Sequence, residues 1–290
     1  MVRFVADGQE IFRVLKETED GVWVIRYNNP NTPLLLSWPA MSTQMQDVEI
    51  PDDFLDESEF SPHIRVPAGR GKGDNMYHLT MTKTQAALIP KAVELYNQVR
   101  NKNLSAAVDA YLEACTEAQQ REGDPKKARE ILRGLSMPNH ATGHPISPEY
   151  HVEETGDDTR LVTVKSKDDL SEIGSALDFY SRIVMGQWER LTDSFWLSFN
   201  EMDAINIMAN HARGILIPEL APYPYPSGWG IAHEKNPMAS KIAYEMYGCI
   251  RHFFWKQRPE SQCCDYTVDS RPPLHLSQEP FVKISETRPT

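Results

Sequence analysis

The chain has 290 residues, with 30 Lys and Arg against 41 Asp and Glu, for a formal net charge of −11. Apolar residues make up 40% and charged residues 24%, globular proportions that exclude a wholly disordered, collagen-like or coiled-coil chain. The acid excess disfavours a general binder of nucleic acid or of anionic membranes, because both present phosphate. No run approaches the roughly 18 apolar residues of a membrane span, and the opening MVRFVADGQE has no apolar signal core. The sequence therefore reads as soluble and not secreted, with no cofactor implied.

From the N-terminus, Glu10–Lys16, Val22–Tyr27 and Leu34–Trp38 predict three short strands. Asp20-Gly21 supplies the positive φ angles of a tight turn, and Asn28-Asn29-Pro30-Asn31 the next connection. Asp47, Glu49, Asp52, Asp53, Asp56, Glu57 and Glu59 follow without an intervening base. That run reads as a solvated loop or as an acidic docking strip for a basic partner. PAGRGKGD, from Pro67 to Asp74, is a linker and not a phosphate loop, because neither the glycine spacing nor a hydroxyl after the Lys is present.

An internal repeat at a spacing of 84 follows. TKTQAALIPKAVELYNQV (82–99) lies over SKDDLSEIGSALDFYSRI (166–183), with Lys83, Ile89, Ala92 and Tyr96 recurring as Lys167, Ile173, Ala176 and Tyr180. Without a gap the same spacing aligns Asp109 with Asp193, Glu117 with Glu201, and Ala128-Arg129-x-Ile131-Leu132 with Ala212-Arg213-x-Ile215-Leu216. Eleven of the 57 positions paired from Thr82 to Pro138 are identical, which is more than average composition gives and marks one supersecondary unit used twice.

Each unit reads as a short strand (Tyr77–Met81, then Leu161–Val164) leading into a helix. That helix carries Pro90 in one copy and Gly174 in the other, both poor mid-helix residues, so a bend or a close backbone approach is expected there. A second helix places Leu104, Val108, Tyr111, Leu112 and Cys115 on one face, and its counterpart is aromatic, with Trp188, Phe195, Trp196 and Phe199. Asp124-Pro125 opens a third helix that buries Ala128, Ile131, Leu132 and Leu135, and its counterpart starts near Asn200. Asn236-Pro237 then opens a long helix, apolar on two faces and so central in the fold, which Pro259 stops. A short strand at Tyr266–Val268 and an irregular, proline-rich tail end the chain. The expected class is α+β: an N-terminal antiparallel sheet and linker (1–75), then two related, mainly helical units (76–158 and 159–290).

No strong catalytic pattern is present. The chain lacks G-x-S-x-G, H-E-x-x-H and paired C-x-x-C, and no catalytic residue is assigned. His140 and His144 have zinc-like spacing, but Pro138, Gly143 and Pro145 deny them the helix that would bring two imidazoles together. Cys115 and Cys249 lie on apolar faces and read as core. Cys263 and Cys264, adjacent in a polar segment, are either free thiols or contacts at a homo-oligomer interface. APYPYPSGWGI (221–231) alternates proline with aromatics, which makes Tyr225 and Trp229 candidates for ligand or partner contact. Arg251-His252, near the end of the long helix, either complements the helix dipole or faces an anion or partner.

ALDFYSRIVMGQWERL, GWGI, KIAYEMYGCIRH, and YTVD with PPLHLSQEPFVKI, taken in that order over roughly 160–284, resemble an uncharacterised family of small proteins encoded by bacteriophages and prophages. The pattern carried over comprises Tyr180, Arg182, Gly186, Gln187, Gly228, Gly230, Ile231, Tyr247, Arg251 and His252, with Trp229 standing inside a glycine loop that is otherwise built of smaller residues. The resemblance implies a phage accessory protein in the host cytoplasm. By class and size it is similar to the anti-defence proteins that sequester Gabija nuclease complexes. The expected role is non-enzymatic inhibition of a host defence complex by occlusion, with a homo-oligomer expected and no nucleic acid or membrane partner. Arg182, Gln187, Tyr225, Trp229, Arg251 and His252 are the contact candidates. The alternative is a sponge, or a hydrolase, for a nucleotide-like immune signal, with Arg182, Trp229, Arg251 and His252 closing a pocket around it.

Overall fold

A computed structural model describes residues 75–116, 123–139, 141, 143, 145–193, 195, 197–220, 229–258 and 270–287, together with the strand backbone of 4–7, 10–18, 21–26, 29–37 and 46–48. The chain divides into two compact units, Met1–Lys72 and Gly73–Thr290. The fold class is α+β.

The first unit is an antiparallel sheet of β1 (Phe4–Asp7), β2 (Glu10–Thr18), β3 (Gly21–Arg26), β4 (Asn29–Ser37) and β5 (Gln46–Val48), in the order β4-β3-β2-β1-β5. The expected three-stranded meander is its core. β1 and β5, too short to register as strands on their own, extend it beyond β2. Pairing of Thr18 with Gly21 and of Arg26 with Asn29 makes both hairpin connections tight. Pro30 and Pro33 fall on β4, an edge strand, which is where a sheet tolerates proline. Beyond the β5 backbone, the acidic run and the linker up to Asp74 lie outside the described residues, as do His140 and His144.

The second unit holds the repeat. β6 (Met76–Thr82) runs into α1 (Lys83–Arg100), followed by α2 (Ala106–Ala114) and α3 (Pro125–Gly134). β7 (Tyr150–Glu154) and β8 (Thr159–Val164) lead into α4 (Lys167–Val184), a 3-10 turn at Trp188–Leu191, α5 (Phe199–Leu216) and α6 (Met238–Lys256). β9 (Lys283–Thr287) closes a four-stranded antiparallel sheet of order β7-β8-β6-β9. The tail expected to be irregular therefore ends in an edge strand beside β6. Its alternation of lysine, isoleucine, serine and glutamate is weak on its own and acquires strand geometry from β6. The expected strand at Tyr266–Val268 lies outside the described residues.

The bounds of α1 and α4 coincide at the 84-residue spacing, both helices being 18 residues long. Thr82 and Ser166 cap them, each hydroxyl accepting from the backbone N–H three residues on. Ile89, Ala92, Ile173 and Ala176 are fully buried, and Tyr96 meets Phe179 edge-on at 5.4 Å across the α1–α4 contact. The strands obey a different spacing. Tyr77, Leu79 and Met81 face the core in β6, and Arg160, Val162 and Val164 are the buried positions of β8, an offset of 83. An 84-residue offset would turn every strand side chain to the wrong face. The extra residue is Lys165, placed between β8 and its cap, whereas Thr82 serves as both strand end and cap. With Leu79 paired to Val162, the two copies are related by a local two-fold axis through that rung.

Farther along, the copies diverge. α2 has a 3-10 turn as its counterpart rather than an α-helix, because Trp188 fills the core directly and donates its indole N–H to the Ile183 carbonyl at 3.0 Å. Trp196 and the Phe199 side chain lie outside the described residues. Asp124 caps α3 by accepting from the Lys127 N–H, with Pro125 at the first helical position. α6 is central: its Ile242, Ala243, Met246, Cys249 and Ile250 are buried, and Pro237 opens it.

Candidate functional site

α4 and α6 lie antiparallel against each other. Lys167, at the start of α4, holds its ammonium 5.6 Å from the Phe254 ring near the end of α6. In the middle, Gly174 gives the expected close approach: a Cβ there would stand 3.2 Å from Ile250 Cγ2. At the far end Arg182 comes within electrostatic reach of Tyr244 and Tyr247. Pro90, the counterpart of Gly174, is exposed, so its ring faces solvent rather than a neighbouring helix.

The end of α4 is fixed by its own sequence. Gly186 has φ +89°, and its N–H donates to Ile183 O at 3.0 Å while the Gln187 N–H donates to Arg182 O at 2.9 Å. These two bonds form a glycine C-terminal motif in which Gly186 is the left-handed residue. Arg213, 1% exposed, braces the turn from α5, donating to Gly186 O at 3.2 Å and Leu220 O at 3.3 Å. Burial pulls its pKa down, opposed by Glu189, and its Nε has no hydrogen-bond partner.

That turn positions Arg182. Its Nε donates to both Asp178 oxygens at 3.0 Å, and its Nη1 donates to Gln187 Oε1 at 3.2 Å. Burial lowers the Arg182 pKa, but Asp178, with help from Tyr244 and Tyr247, raises it further than burial lowers it. Tyr244 and Tyr247 meet edge-on at 6.2 Å, and the Arg251 guanidinium lies 5.6 Å from the centre of the Tyr247 ring. Asp178, Arg182, Gln187, Tyr244, Tyr247 and Arg251 are all half-buried. They form a strip of two arginines flanking two tyrosines along the α4–α6 seam.

The remaining candidates are distributed elsewhere. His252 lies about 100° around the helix from Arg251 and stacks on Trp255 at 5.6 Å. His252 Nδ1 and Trp255 Nε1 are buried without hydrogen-bond partners. The dipole-capping position in the last turn of α6 belongs to Lys256 instead. Trp229 belongs to a separate turn, stacked on His233 at 5.2 Å with the Lys235 ammonium 5.9 Å from its ring centre. Asn236, buried, ties that turn by donating to Gly230 O at 2.8 Å and Ile231 O at 3.2 Å. Tyr225, Cys263 and Cys264 lie outside the described residues.

The sequence reading missed Glu245. This α6 carboxylate is 2% exposed and gathers the C-terminal arm. Its Oε1 accepts from the backbone N–H groups of Leu276 and Ser277, the latter at 2.6 Å, and its Oε2 accepts from the Ser277 hydroxyl at 2.6 Å. Thr82 then donates to Glu279 at 2.6 Å and Gln85 to Pro280 O at 2.7 Å, which carries the arm to β9. A lone acid inside the apolar run YEMYGCI was the available signal.

Among the described residues, no group of His, Cys, Asp and Glu is placed to hold a metal ion, and no helix is long and apolar enough to cross a membrane. The chain matches no protein-family model, no curated protein and no solved structure.

Proposed function

We propose that this chain is a phage-encoded accessory protein that inhibits a bacterial antiphage defence system in the host cytoplasm by binding and occluding a host protein complex. The convergence of Arg182, Gln187, Tyr247 and Arg251 on one half-buried seam carries the reading. These residues come from separate segments of the family-like pattern, and tyrosine and arginine at the centre of a patch are the residues that dominate protein–protein contacts. A sponge for a nucleotide-like signal needs guanidinium groups free for phosphate. Arg182 already spends its Nε on Asp178 and its Nη1 on Gln187, which favours a protein partner.

Affinity capture of the tagged chain from infected, defence-bearing cells tests this. The expected result is a host complex eluting at fixed stoichiometry with nucleotides unaltered, and its loss with Tyr247→Ala. Release of an intact nucleotide on heating supports the sponge instead, and conversion of substrate far beyond the molar amount of the chain supports an enzyme.

A further inference from the structure

β7 and β9 occupy equivalent outer places on the two sides of the β6–β8 pair. Ile284 of β9 stands opposite Leu79 and packs against the core. Val152 of β7 stands in the same relation to Val162, yet it is 39% exposed. His151, Glu153 and Glu154 are exposed as well.

The ladder also fixes which way the β7 backbone points. The Lys165 N–H donates to Glu149 O and the Thr155 N–H to Thr159 O, each at 3.2 Å. In an antiparallel ladder, hydrogen-bonded rungs alternate. Glu149, His151, Glu153 and Thr155 therefore bond to β8, and the N–H and C=O groups of Tyr150, Val152 and Glu154 point out of the sheet.

We propose that two copies of this chain join along β7, edge to edge and antiparallel, about a two-fold axis through Val152. Only the outward residues can form the new rungs. Centring on Val152 pairs all five residues of the strand, with Val152 against the partner's Val152 and Tyr150 against the partner's Glu154. His151 then faces the partner's Glu153 in a rung without backbone bonds, where side chains stand closest. Symmetry makes this imidazole–carboxylate contact twice. Moving the register one step either way loses the imidazole–carboxylate pairing and sets His151 against itself or Glu153 against itself, so the side-chain pairing selects this register. The result is a continuous eight-stranded sheet that covers both valines. Five residues a side form a small contact, so association is concentration-dependent. The β7 residues are not those of the α4–α6 seam, and the test needs no host protein.

Sedimentation equilibrium of the full chain over a concentration series is expected to show a mass rising toward twice 33.1 kDa. Hydrogen exchange at the Val152 and Glu154 amides is expected to slow as the dimer forms. Val152→Pro removes an outward N–H without breaking a bond to β8, so it should leave the fold intact and the chain monomeric at every concentration. His151→Glu should weaken association by about tenfold, and adding Glu153→His should restore it by exchanging the two groups. A single-chain mass throughout overturns the proposal. So do a dimer that His151→Glu leaves as strong, a weakened dimer that adding Glu153→His does not restore, and a dimer in which the Val152 and Glu154 amides exchange freely.

Discussion

Glu245 shows how much one buried acid can organise when its lone pairs are filled. Two backbone N–H groups and a hydroxyl converge on it. Glu245→Ala should cost about 3–4 kcal/mol, read as a lower urea midpoint with faster exchange at the Leu276 and Ser277 amides. Gly186 is constrained twice over, by its positive φ and by a Cβ position only 2.7 Å from Leu220 Cδ1. Gly186→Ala should therefore destabilise by about 1–2 kcal/mol and disturb the Arg182 side of the seam. Burial pushes the thiols of Cys115 and Cys249 up to about 11, partly offset by Tyr111 at the first and by the Val282 backbone at the second. The folded chain keeps these protons where the unfolded chain, at 9.0, releases them. The stabilisation is complete below the unfolded value and is lost as pH rises through the folded one. Thermal midpoints should fall between about pH 9 and about pH 11, and Cys249→Ala should flatten the slope. Both thiols were legible as core because apolar neighbours at helical spacing surround them. Glu245 and Arg213 were not, because sequence distance hides partners that arrive from another element.

The helices of the repeat were readable because caps and helical periodicity are local. Thr82, Ser166 and Asp124 each fix a start through a bond spanning three residues. β7 and β9 were not readable, because an edge strand takes its geometry from a neighbour far along the chain. Each has at most a weak alternation, and β9 pairs with residues some 200 positions earlier. The one-residue difference between the strand and helix spacings is likewise invisible until sheet faces are known. Positions 90 and 174 coincide in sequence yet differ in what surrounds them. Pro90→Ala should stabilise the chain by about 1–3 kcal/mol, since an exposed helix position gains an N–H and loses a ring clash. Gly174→Val should destabilise by about 2 kcal/mol, since Ile250 already fills the space. Chemical denaturation of the two variants beside the parent chain reads both signs.

Across the second unit, one strand–helix module is written twice, joined at a shared sheet, and then given different work. The first copy keeps three helices. The second replaces its middle helix with a core tryptophan and adds α6, and the α4–α6 seam exists only there. The seam was half legible: Arg182, Gln187, Tyr247 and Arg251 could be named from the family-like pattern, but Asp178 and Tyr244 were not, and the meeting of all six depended on α6 running antiparallel to α4. Efficiency of plating on a panel of defence-bearing hosts tests the proposed role most directly. Expressing the chain is expected to restore phage growth on at least one host, and Tyr247→Ala, present at equal level and folded at the assay temperature, is expected not to. Growth restored on no host, or restored equally by the variant, would contradict it.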